Sequence, residues 1–207
     1  MKKQISHGPN TSYTVSMETL QDLHKKYNDA CLCPLKQTAT QPVFGDGNPK
    51  AKIVFVGEAP GKKEDLEGKP FIGAAGKFLS EMLASINMKR EDVYITNTVK
   101  YRPPDNRDPL PEEKLQCQEW LFAELNYINP SVIIFLGRHA MNTFFPEKKI
   151  SDEHGKLTIQ KITGLKPNHF FALYHPAAAL YNGSMRATLL ADFAKIPTIL
   201  KKAKATV

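Results

Sequence analysis

Apolar residues are spaced along this chain in two alternating ways. Compact apolar runs occur at KIVFV (52–56), at 93–97, at VIIFL (132–136) and at FFALY (170–174). Each is short and rich in β-branched or aromatic residues, which predicts four strands. Between them the spacing changes to that of a helix. Phe78, Leu79, Met82, Leu83 and Ile86 predict a helix over 75–87, and further helices are predicted over 112–126, 138–144 and 184–197. Pro111 before Glu112 and Glu113 makes a good helix opening, because the first N–H groups of a helix have no partner within it. Upstream, Ser16 is expected to cap a helix running to Ala30, with Met17, Leu20, Leu23 and Tyr27 as its apolar stripe.

Strands that alternate with helices predict an α/β fold: a single three-layer domain over residues 1–207, with a central, mainly parallel four-stranded sheet flanked by helices. Parallel strands bring their carboxyl ends to one edge of the sheet, where open α/β sheets place ligands. The residues at those ends are Glu58, Asn97, Gly137 and His175. Four segments distant in sequence are thereby expected to build one site.

Composition narrows the function classes. A chain of 207 residues can fold around its own core, and no Gly, Ser or Pro run divides it. Residues 1–14 are polar and expected to be flexible, without the apolar segment of a signal peptide, and no apolar run is long enough for a membrane span. A cytoplasmic protein without a membrane partner is expected. The net charge of +7 favours an anionic partner such as nucleic acid. Three cysteines are too few for a disulfide scaffold.

The chemistry-bearing stretch is GEAPGKKEDLEGKPFIGAAG at 57–76. It has neither the GKS/T ending of a phosphate loop nor G-x-G-x-x-G spacing, so a nucleotide hydrolase is disfavoured. Glu58 and Glu64 could orient a water or stabilise a cationic centre, and Phe71 could cover a planar group or pack beneath the loop. Asn97 carries a donor and an acceptor side by side, as reading the O4 and N3–H edge of uracil requires; a turn role fits an isolated Asn equally well. Lys100, Arg102 and Arg107 lie in a proline-stiffened loop and are candidate phosphate contacts. His175, before Pro176, could donate to an oxygen that gathers negative charge.

Taken together, GEAPG (57–61), ED (64–65), GKPFIGAAG (68–76), TNTVKYRPPDNRDP (96–109), LGRHA (136–140) and YHPAAAL (174–180) resemble the uracil-DNA glycosylase superfamily, specifically its family 4. The resemblance implies a monofunctional enzyme that flips uracil out of DNA and hydrolyses its N-glycosidic bond. By the same resemblance Gly57, Phe71 and Asn97 bind the base, Phe71 by stacking and Asn97 by its pairing edge. His175 becomes the donor toward the pyrimidine O2, and Glu58 and Glu64 the acidic residues of the first motif, with Glu64 favoured for handling water. Leu180 and Tyr181 fall on the intercalating loop, Tyr181 standing where the family generally has a basic residue. Uracil-containing DNA is the implied partner and a monomer the expected state. A noncatalytic uracil-DNA binding module is the alternative.

The resemblance also implies a four-thiolate [4Fe–4S] cluster, and here the chain departs from it. Cys33 and Cys117 match the second and fourth ligands, but Ala30 stands at the first, with Cys31 displaced by one residue, and Tyr101 replaces the third. A phenol is a poor ligand for such iron. No cofactor or metal is therefore favoured; a cluster, if one formed, would draw on Cys31 or Cys33 and on Cys117.

Overall fold

The computed structural model of the protein describes residues 19–205. The apolar runs form strands β2 (Ile53–Gly57), β3 (Tyr94–Asn97), β4 (Val132–Leu136) and β6 (His169–Leu173), parallel to one another. Two short antiparallel strands, β1 (Asp46–Gly47) and β5 (Leu157–Ile159), close the edges, giving the order β1-β3-β2-β4-β6-β5. The sheet thus has six strands where sequence predicted four. Two- and three-residue edge strands carry no periodic signal and exist only through their neighbours.

Both faces of the parallel strands are buried, as expected for such a sheet. Along β2, Ile53 and Phe55 face one core, and Val54 and Val56 the other. The first core is covered by α3 (Ala74–Ser85), α8 (Gly183–Phe193) and α9 (Ile196–Ala205), the second by α4 (Pro111–Ile128) and α5 (Arg138–Phe144). The single helix predicted over 184–197 is two helices, broken near Lys195. Helix α1 (Leu20–Ala30) packs on α4 and begins after Thr19, whose side chain accepts from the Asp22 N–H in a reciprocal capping box. The expected cap at Ser16 and the polar segment 1–14 lie outside the described residues. Short helices α2 (Lys62–Glu67), α6 (Ile150–Glu153) and α7 (Ala178–Tyr181) complete the fold.

Among the described residues no helix is long and apolar enough to cross a membrane. Successive parallel strands add to one side of β2 and then to the other, so the topological switch lies between β2 and β4. Gly57, Asn97 and Gly137 all stand at this end, with His175 just beyond β6.

Candidate active site

The site centres on Gly57, at the end of β2. A Cβ on Gly57 would lie 2.4 Å from Asn97 Oδ1 and 2.6 Å from the Phe71 ring. Only glycine at the end of β2 therefore lets the amide and the ring converge. The Phe71 ring in turn meets the His175 ring, with centroids 5.7 Å apart and planes inclined by 34°. Gly137 plays the corresponding part at the end of β4, where a Cβ would stand 3.0 Å from His175 Cβ. The amide, the aromatic ring and the imidazole are brought together from the ends of β3 and β6 and from the loop before α3.

Asn97 is 1 % exposed, and its Oδ1 has no hydrogen-bond partner. Buried side-chain oxygens are normally bonded, since an unmade bond costs about 1–3 kcal/mol. Asn97 Oδ1 is thus a buried acceptor left without a partner close to the Phe71 ring.

Phe71 has a left-handed backbone, φ 52°, which is unfavourable for an aromatic residue and must be held by its surroundings. The Arg90 guanidinium grips both adjoining carbonyls, Phe71 O at 3.0 Å and Pro70 O at 2.9 Å. On the other side Glu64 Oε1 accepts from the N–H groups of Ile72 and Gly73, at 3.1 and 2.9 Å. Glu64 thus has one oxygen fixed in the loop that carries Phe71. Gly76 allows the close return of the chain, because a Cβ there would overlap Phe71 O. Asp65, also in this loop, is buried and accepts from Thr40, an internal tie.

His175 is held neutral. Burial, with His139 nearby, pushes its pKa down to about 4, although Glu64 acts in the opposite direction. Its Nδ1 accepts from the Ala177 N–H at 3.2 Å. A neutral imidazole with Nδ1 as acceptor carries its proton on Nε2, so His175 is a donor through that atom. Glu58 moves the other way: burial and then Asp108 push its carboxyl up to about 7. Its Oε1 is buried without a hydrogen-bond partner and lies 3.7 Å from His139 Nδ1, whose Nε2 is 3.1 Å from Asp108. Arg138 Nε also donates to His139 Nε2 at 2.9 Å.

The candidate DNA contacts divide. Leu180 and Tyr181 sit on α7, just after His175 in the chain, and are 48 % and 90 % exposed, as a wedge must be. Arg102 lies at the surface and donates to Asn106, while Arg107 makes a two-pronged pair with Glu113. Lys100 requires a correction. It is 3 % exposed, and its ammonium bonds Glu124 at 2.6 Å, Asn97 O at 3.0 Å and Thr96 Oγ1, so it faces inward and not toward phosphate. Sequence placed it in a basic surface loop because Glu124, the residue that draws it inside, is on a different helix. Arg90 was also missed, since no motif marked it; Asp108 and His139 lay inside the segments 96–109 and 136–140 but were given no role there.

The three cysteines gather with Tyr27, Leu35, Val99 and Tyr101 in a third buried cluster under α1 and α4. Tyr101 is 2 % exposed and stacks on Tyr27 at 5.7 Å, its hydroxyl directed at Asn28 Oδ1. Burial and the neighbouring thiols push the Tyr101 phenol up to about 12, so it cannot readily become an anionic ligand. Cys117 Sγ is 3.4 Å from Tyr27 Oη, Cys33 faces Glu113 O at 3.8 Å and Cys31 faces Gln116 O at 4.0 Å. The described residues here offer three thiols and a phenol, one thiolate short of a four-thiolate cluster.

A doubly wound α/β fold with an amide, a ring and an imidazole at its switch point defines a class of ligand-handling protein, and sequence comparison narrows it. The family model described as the uracil DNA glycosylase superfamily matches residues 44–198, and the chain belongs to that family. It is 49 % identical over 195 residues to a type-4 uracil-DNA glycosylase of Archaeoglobus fulgidus, covering 92 % of this chain and 98 % of that protein. A type-4 uracil-DNA glycosylase of Thermotoga maritima is 40 % identical over 187 residues, covering 89 % of this chain and 96 % of that protein. Similarity to a type-5 uracil-DNA glycosylase of Thermus thermophilus is 38 % over 117 residues, about half of each chain.

Proposed function

We propose that this protein is a monofunctional uracil-DNA glycosylase that flips uracil out of DNA and hydrolyses the bond from N1 to C1′. The observation that carries this reading is the buried, unpartnered Asn97 Oδ1 beside the Phe71 ring. Uracil offers it an N3–H donor, with O4 alongside for the amide N–H. Cytosine presents a bare N3 and an amino group there, so the same amide orientation meets acceptor with acceptor and donor with donor.

The base must leave the stack to reach such a site. Leu180 and Tyr181 on α7 would fill the space it vacates. The N1–C1′ bond then breaks with its electron pair passing to the base, and negative charge spreads over O2 and N1. The proton on His175 Nε2 is placed to hydrogen-bond O2. Being neutral, it donates through Nε2 without a charge having to be carried in a buried setting. Glu64, anchored by one oxygen, has its second free to orient water toward C1′ and accept its proton. Glu58, tuned toward neutrality, faces the same rim. No step calls on a cofactor. The enzyme acts as a cytoplasmic monomer.

The test is incubation with single-stranded and duplex oligonucleotides carrying one uracil, in chelator, with measurement of free uracil and abasic strand. Equimolar release of both is expected. Tight binding without release would instead indicate a recognition module.

A further inference from the structure

Asn97 presents a problem of orientation. Its side-chain oxygen is buried and bonds nothing in the chain, so that bond cannot fix the amide. Its direction must come from the backbone to which it is attached. After Asn97 the chain leaves β3, and the next two N–H groups still bond across to the end of β2 and the residue beyond it: Thr98 N to Gly57 O at 2.9 Å and Val99 N to Glu58 O at 3.2 Å. The Asn97 carbonyl is received by the buried Lys100 ammonium at 3.0 Å.

Lys100 is itself held in place. Glu124 on α4 accepts from its ammonium at 2.6 Å, from Thr96 Oγ1 at 3.0 Å and from Tyr94 Oη at 2.8 Å, so alternate residues of β3 converge on one carboxylate. His24 on α1 stands 3.5 Å from the same carboxylate. Although burial pushes the Glu124 carboxyl up, Lys100 and His24 beside it carry it down to about 2, so the group remains an anion. An ion pair this deeply buried is not an economical source of stability, since apolar side chains of the same size commonly do as well. Its distinctive contribution here is a charged donor at a fixed place next to one peptide group.

We infer that Lys100, held by Glu124, is a positioning residue that orients the Asn97 amide for base reading through the Asn97 carbonyl. The inference rests on the reading of Asn97 given above. It assigns a role to a buried cation that touches neither base nor phosphate.

The experiment compares wild type, Lys100→Met with Glu124→Gln, Tyr94→Phe and Asn97→Ala. The paired replacement removes both charges, which avoids the stranded carboxylate that could unfold Lys100→Met alone. Tyr94→Phe loosens Glu124 but leaves the Lys100 contact to Asn97 intact. Three quantities are read: single-turnover uracil release, melting temperature, and the resonances of the Asn97 side-chain amide with and without free uracil. The paired variant is expected to fold, to lose about tenfold or more in release, and to show an Asn97 amide that no longer responds to uracil as wild type does. Tyr94→Phe is expected to lower the melting temperature while retaining release. Wild-type release and an unchanged amide signature in the paired variant would overturn the positioning role. So would equal losses of release in the paired variant and Tyr94→Phe at matched melting temperature. If Asn97→Ala itself releases uracil as wild type does, it is the reading of Asn97 that fails.

Discussion

Two buried clusters lie on either side of the segment 97–101, and they treat polar atoms in opposite ways. Around Gly57, Asn97 Oδ1 and Glu58 Oε1 are buried and unbonded, and Phe71 is held in a backbone conformation unfavourable to it. Around Cys117, the thiols and the phenols of Tyr27 and Tyr101 have partners within the chain, and the rings stack. Open polar positions cost stability, and among the described residues two of the four, Asn97 Oδ1 and Glu58 Oε1, lie at the carboxyl end of the sheet. The closed cluster does the work of a core. The three cysteines thus lie in a cluster whose polar atoms have partners within the chain, and the unbonded amide oxygen lies in the other.

The largest effect that would break this contrast lies at His175. Removing the imidazole takes away a donor aimed at the leaving group, and His175→Ala is expected to slow uracil release about 100-fold or more, measured in single turnover at unchanged circular dichroism. Wild-type rates in that variant would place the working site elsewhere. Gly57→Ala comes next. Its new methyl would sit against both Asn97 Oδ1 and Phe71, and release should fall about tenfold or more, with base affinity affected more than DNA affinity.

Leu180→Ala should have a smaller effect, because the wedge acts on flipping and not on bond cleavage. Release from duplex substrate is expected to fall several-fold more than release from single strands, and equal losses would argue against a wedge.

Proton linkage sharpens the contrast further. His175 has its pKa lowered from 6.5 to about 4, so between those values the unfolded chain binds more protons and stability falls as pH falls. Glu58 has its pKa raised from 4.5 to about 7, so in that window the folded chain binds more protons and stability falls as pH rises. The two slopes oppose each other over most of the same range. Melting temperature against pH should tilt upward with pH in Glu58→Gln and downward in a His175 variant, relative to wild type. No tilt in either would remove the buried-site account of both groups. The smallest effect belongs to the closed cluster: protein purified aerobically should show no sulfur-to-iron absorption, and chelator should leave release unchanged.

The four core strands were legible because continuous β-branched and aromatic runs have no other place in a small domain. The placement of Glu58, Asn97 and His175 along one edge of the sheet followed from parallel strands having a common carboxyl end. The edge strands at 46–47 and 157–159 were not legible, since they are set by pairing and not by pattern. The break near Lys195 was passed over because apolar residues continue through it at helical spacing, although Pro197 in the first turn of α9 marks a helix start. Lys100 read as a surface cation for a plain physical reason: charge in a sequence implies solvent unless a partner is seen, and Glu124 is brought to it only by the packing of α4. Arg90 was equally hidden, because its role is to grip two backbone carbonyls, which leave no mark in sequence.

The central claim is that Asn97 reads the flipped base. Its most direct test is the rate of uracil release by Asn97→Ala beside wild type, in chelator, with both melting temperatures recorded. The account predicts active wild type and a variant slowed about 100-fold with its melting temperature unchanged or raised, since an unsatisfied buried amide has been removed. A variant that releases uracil as fast as wild type would contradict it.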